Sequence, residues 1–185
     1  MATDIAVRVM RADEWPVARA VCIDAFDGDP SIGELLDLQR TSWSWRDDLA
    51  FVAMLPDGSV GAFVLFTPSF VDAPDRVVDV LVLSPVGVRP DLQRSGIGRT
   101  LILEALAALA HREPAVPLVF LEGIPSYYPK LGFQRASALG FTPPSTRIPD
   151  AAFMVYPLPS YEPSMRGALA YADVFWRADA VGLRG

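Results

Sequence analysis

The 185-residue chain carries 16 Lys+Arg against 22 Asp+Glu, a formal net charge of −6, with 51% hydrophobic and 21% charged residues. That is the composition of a globular chain with a sizeable core, and the length fits one compact domain spanning residues 1–185. The acidic balance argues against nucleic-acid binding; a lone Cys22 excludes an internal disulfide; Cys22 with the single His111 makes no zinc site; and no apolar run reaches the roughly 18 residues that cross a bilayer.

Met1-Ala2-Thr3-Asp4 lacks a basic stretch followed by an apolar one, so no secretory leader is expected and a cytoplasmic location follows. Ile5, Val7 and Val9 alternate as a short strand. Asp13 can cap a helix with Glu14 and Pro16 in its first turn and Val17, Val21 and Ala25 on one face. Gly28 and Pro30 end it, and Ser31-Ile32-Gly33-Glu34 reads as the capping box of a second helix carrying Leu35, Leu36 and Leu38. Leu49 to Met54 and Ser59 to Thr67 read as a hairpin around Pro56-Asp57-Gly58, with Pro68 to Asp75 a loop.

The most apolar strand, Val77 to Val88, follows, broken by Asp79 and Ser84-Pro85. A helix then extends to about Arg112 with Leu101, Leu106 and Leu109 buried, leading to a strand over Val116 to Leu121. Tyr127 to Leu131 makes a short helix closed by Gly132, Phe133 begins a strand, and Ala152 to Tyr156 is another. Prolines crowd from residue 114 onward, so this third is built of short elements, with residues 157–185 an extension docked on the rest. The order describes an α/β (α+β) domain, one mixed sheet with helices on its faces.

The stretch that carries chemistry is Val86-Gly87-Val88-Arg89-Pro90-Asp91-Leu92-Gln93-Arg94-Ser95-Gly96-Ile97-Gly98-Arg99. A buried strand enters a loop containing Gly96 and Gly98, and a helix begins at once. Glycines admit close backbone approach, and free N–H groups at a helix start favour phosphate, with Arg94 and Arg99 adding charge. No Lys follows the glycines as a P-loop needs, and Leu101 stands where a dinucleotide fingerprint has its third Gly.

Val88-x-Pro90-x-x-Gln93-x-x-Gly96-x-Gly98 resembles the Q/R-x-x-G-x-G/A motif of the GNAT superfamily of N-acetyltransferases, and Tyr128-Pro129-Lys130-Leu131-Gly132-Phe133 resembles its Y-x-x-x-G-F segment. The resemblance implies a mostly antiparallel sheet splayed between its fourth and fifth strands. It also implies acetyl-CoA as cosubstrate, without a metal, its pyrophosphate on Gln93, Arg94, Ser95, Gly96, Ile97, Gly98 and Arg99. The pantetheine arm would pair with the main chain of Val86 and Val88, with Gly87 between them also in the cofactor site, near a bulge at Ser84-Pro85-Val86. Pro85 cannot donate to a ladder, in keeping with an interruption there.

The implied reaction is direct attack of a primary amine, on a small molecule or peptide, without an acyl-enzyme. Tyr128 matches the tyrosine that protonates the departing thiolate; Tyr127 beside it could exchange roles. An alkylamine of pKa near 10.4 is neutral in only about one molecule in 2,500 at pH 7, a deficit of roughly 4.6 kcal/mol, so a base is needed. Val80 to Leu83 offer no carboxylate, leaving Glu122, favoured where the strands diverge beside Gly123, Asp79, or a water relay. Trp43 and Trp45 either line the acceptor site or pack; Cys22 and His111 read as structural and solvated. The alternative is a non-catalytic acyl-CoA-binding module. No nucleic acid or membrane partner is expected, and a homodimer is open.

Overall fold

The computed structural model describes residues 5–182, so residues 1–4, on which the leader expectation rests, lie outside it. The described strands are β1 (Ala6–Val9), β2 (Ala50–Met54), β3 (Val60–Asp72), β4 (Val77–Val88), β5 (Leu118–Glu122), β6 (Gln134–Arg135), β7 (Phe153–Pro157) and β8 (Ala168–Ala170). The helices are α1 (Trp15–Ala25), α2 (Pro30–Thr41), α3 (Ile97–Leu109) and α4 (Asp173–Arg177). Strand order is β1-β2-β3-β4-β5-β7-β6, with β8 on β3. Strands β4 and β5 run parallel, through Leu81↔Val119 and Val82↔Phe120, while β4 itself continues to Val88. Beyond Val82 the two strands part, giving the splayed, mostly antiparallel sheet expected. No helix among the described residues is long and apolar enough to cross a membrane.

The chain divides into two compact units, and β3 and β4 each contribute to both. The first comprises residues up to Thr67 and Ser84–Ala108. Its core joins Met10, Ala18, Val21, Cys22, Leu36, Val52, Phe63 and Leu65. Helix α1 therefore presents Ala18, Val21 and Cys22, not the Val17–Val21–Ala25 stripe; Val17 is 50% exposed. Both helix starts also differ from expectation. Asp13 lies in a 3-10 turn and Glu14 occupies the cap of α1, tied to Arg8 and the Arg11 amide. Helix α2 is capped by Asp29, whose Oδ1 accepts from the Ser31 amide at 2.9 Å, with Pro30 at the first helical position.

The second unit comprises Pro68–Leu83 and the chain from Leu109. The expected loop after Thr67 is instead strand: Phe70, Val71 and Asp72 pair with Ala170, Leu169 and Ala168 of β8. A distant partner strand overrides the turn propensity of Pro68. Phe120 stacks on Phe153 and meets Phe141 edge-on, forming the centre of this core. In the tail, Leu169, Tyr171, Ala172, Val174 and Phe175 are all buried.

Candidate active site

In the first unit, β4 delivers the chain to the glycine loop. Burial alternates along its end: Ser84, Val86 and Val88 are half-buried, Pro85 and Gly87 buried. A Cβ on Gly87 would stand 2.7 Å from Cys22 Cα, so α1 crosses β4 at backbone contact. Only glycine permits that approach. Cys22 is itself fully buried, and burial pushes its thiol up to about 12, which makes it a core residue without nucleophilic use.

The loop is shaped by its own contacts. Arg89 grips Asp91 through two bonds of 2.8 and 2.6 Å, and Gln93 Nε2 returns to the Val88 carbonyl at 3.3 Å. Arg94 and Gly96 both lie in the left-handed region, at φ 63° and 96°. For Arg94 that costs about 1–2 kcal/mol, a strain characteristic of ligand loops. Nothing lies within 4 Å of a Cβ built on Gly96, so the space above the loop is open. The first helical bond, Thr100 N–H to Gly96 O, leaves the amides of Ile97, Gly98 and Arg99 outside the ladder of α3. These amides, the helix dipole and the exposed Arg94 and Arg99 are groups that could together hold an anion.

Gln39, which no sequence motif singled out, reaches β4 at Ser84. It is 1% exposed, and its Nε2 donates to Thr67 Oγ1 at 3.0 Å and to the Ser84 carbonyl at 2.9 Å. Its signal was a polar residue on the apolar face of α2. Trp45 meets Trp15 edge-on, lies under the Arg40 guanidinium and donates to Asp47 at 2.7 Å, so it is packed; Trp43 is half-exposed.

In the second unit, Glu122 ends β5 opposite Phe153, and the next residue, Gly123, carries the Tyr128 ring. A Cβ on Gly123 would fall 2.2 Å from Tyr128 Cε2. Leu121 Cδ1 lies 2.9 Å from the same position, so the Tyr128 ring packs on the side of the chain shared by Leu121 and Gly123. Tyr128 also meets Tyr127 and Phe133 edge-on, and burial with the neighbouring Tyr127 pushes its phenol up to about 12. Glu122 accepts from Tyr171 Oη at Oε1 and from the Gly182 amide at Oε2, both at 3.0 Å. Burial raises its pKa, against the lowering pull of Tyr171, Gly182 and the Arg147 charge. Asp79 is exposed on β4, and His111 is exposed after α3. Among the described residues no group of three or more His, Cys, Asp or Glu could hold a metal ion.

The sequence model of the acetyltransferase (GNAT) family matches residues 19–133, more than half of the chain. The chain belongs to that family. Among solved structures, a GNAT family N-acetyltransferase (YhbS) from Escherichia coli, in complex with CoA, matches with a TM-score of 0.78 at 23% identity. The match covers 96% of this chain and 94% of that one. A GNAT family acetyltransferase from Brucella melitensis, in complex with acetyl-CoA, matches at 0.70 and 26%, covering 94% and 99%. A Corynebacterium glutamicum structure, described as histone acetyltransferase HPA2 and related acetyltransferase, matches at 0.59 and 18%, over 85% and 98%. The Escherichia coli and Corynebacterium likenesses are of fold. No curated protein matches the chain.

The GNAT match runs from within α1 to Phe133, so it takes in the glycine loop, Glu122 and Tyr128. It ends before Tyr171 and Gly182, the partners of Glu122. Neither partner belongs to a motif legible in the sequence, and no spacing pattern could have found them.

Proposed function

We propose that this GNAT chain transfers the acetyl group of acetyl-CoA to a primary amine on a small molecule or peptide. The observation that carries the proposal is the strained, open loop at Arg94–Gly96, feeding free amides at the start of α3 directly after a strand whose parallel partner has ended. The acetyl-CoA complex of the Brucella melitensis relative supports the choice of cosubstrate. The pyrophosphate rests on the amides and side chains of Gln93 to Arg99, and the pantetheine arm pairs with the main chain of Val86 to Val88, free of an adjoining β5 register.

The amine nitrogen attacks the thioester carbonyl, forming an oxyanion that main-chain amides near Val86 to Val88 stabilise. Collapse breaks the carbon–sulfur bond, and the nitrogen's proton goes to Glu122. Burial raises this carboxyl's pKa, which makes it a better proton acceptor than an ordinary surface carboxylate. Tyr128 stays protonated at neutral pH and donates a hydrogen bond to the departing sulfur. Full transfer from a phenol near 12 to an ordinary thiolate near 8.5 is uphill by roughly 5 kcal/mol, so solvent completes that protonation.

Purified protein given acetyl-CoA and a panel of amines is expected to release free thiol, with Tyr128→Phe slower by about tenfold. Gly96→Glu is expected to abolish CoA binding in a calorimeter, since side chain and charge intrude on the phosphates. Binding without thiol release from any amine would favour the non-catalytic acyl-CoA-binding module. Retained affinity in Gly96→Glu would remove the phosphate loop from the account.

A further inference from the structure

The two hydrogen bonds on Glu122 come from parts of the chain far away in sequence. Tyr171 follows β8, and Gly182 lies at the end of the described residues, 49 and 60 positions from Glu122. Both are held independently of the carboxylate. Tyr171 is 8% exposed with its ring against Phe175, while Arg147 Nε and Nη2 fix the Val181 carbonyl at 3.1 and 2.8 Å. The Glu122 backbone is held too, because β5 pairs with β7 at Phe153 and the Gly123 amide reaches the Ala152 carbonyl at 3.0 Å. Each oxygen thus accepts one fixed donor and retains a second lone pair.

We propose that Tyr171, with the Gly182 amide, is a positioning residue for Glu122, fixing the carboxylate while leaving one lone pair on each oxygen to take up a proton. The tail beyond β7 is then a working part of the site. This rests on the reading of Glu122 as the proton acceptor. The groups that face the carboxylate are the Tyr171 hydroxyl, the Gly182 amide and the Arg147 charge, and all three favour its ionised form against burial. Removing the hydroxyl removes one of them, so the carboxyl's pKa rises.

The test is the pH dependence of kcat/KM for acetyl transfer in the full chain, for wild type, Tyr171→Phe and Glu122→Gln, alongside CoA affinity. Tyr171→Phe keeps the ring packed, and it is expected to shift the acid limb to higher pH with CoA affinity unchanged. Glu122→Gln is expected to lose the limb and at least tenfold in kcat. A carboxyl-carbon NMR titration of Glu122 gives the same comparison without turnover, with the Tyr171→Phe midpoint displaced upward. An unmoved limb and midpoint in Tyr171→Phe, with Glu122→Gln impaired, would overturn the positioning role and leave the acceptor role standing. Full activity of Glu122→Gln at every pH would overturn both.

Discussion

Gly87→Ala tests the contact that sets α1 against β4, the strand proposed to carry acetyl-CoA. The new Cβ would stand 2.7 Å from Cys22 Cα, where carbon atoms settle at about 3.5–4.0 Å, so helix or strand must withdraw by about 1 Å. Overpacking costs about 1–3 kcal/mol, and the upper end applies because the atom struck is backbone. The lower entropy of the unfolded alanine chain returns up to about 1 kcal/mol, since the position does not need a left-handed φ. A net loss of about 2 kcal/mol corresponds to a Tm lower by about 4–8 °C for a chain of this size. Scanning calorimetry of Gly87→Ala, Cys22→Ala and the double variant checks it. Deleting the thiol removes Sγ at 3.2 Å but leaves Cα in place, so the double variant should show no rescue. An unchanged Tm in Gly87→Ala, or full rescue by Cys22→Ala, would refute the backbone approach. The displaced β4 should also bind CoA more weakly, because Gly87 lies between the two residues proposed to pair with the pantetheine arm.

Gly123→Ala must push the Tyr128 ring off the end of β5, so kcat should fall as far as in Tyr128→Phe with CoA affinity intact, and the two changes together should not add. Stopped assays on the three variants decide, and full kcat in Gly123→Ala would mean the ring's seat does not matter. Glu14 bonds Arg8 first and then the Arg11 amide, which lower its pKa from 4.5 to about 2. Its contribution is therefore complete above pH 4.5 and lost as pH falls through about 2. The shift bounds it near 3 kcal/mol, or about 2 after screening at the partly exposed Arg8. Urea melts of Glu14→Gln should sit about 2 kcal/mol below wild type at pH 7 and converge near pH 2, whereas parallel curves would contradict the linkage. Cys22, fully buried with its thiol pushed up to about 12, should ignore a thiol reagent until the chain is unfolded, and fast native labelling would contradict that burial.

The parts legible in the sequence were those whose cause is local. Strand β4 ends where expected because its mostly apolar run stops at Arg89-Pro90, and the loop was readable because only glycines and a helix start supply bare amides in so short a span. Gly132 closes its short helix at φ 95° for the same local reason. What sequence missed depended on partners far along the chain. Pro68 to Asp72 became strand because β8 pairs with it, and α1 turned Ala18 and Cys22 inward because Gly87 lets the helix touch the strand. The identity of the groups on Glu122 was likewise invisible. A carboxylate's neighbours follow from which chain ends fold back onto it, and no local periodicity records that. The residues themselves determined the family and the glycine loop, while the surroundings of the proposed proton acceptor were decided only when the tail packed against β5.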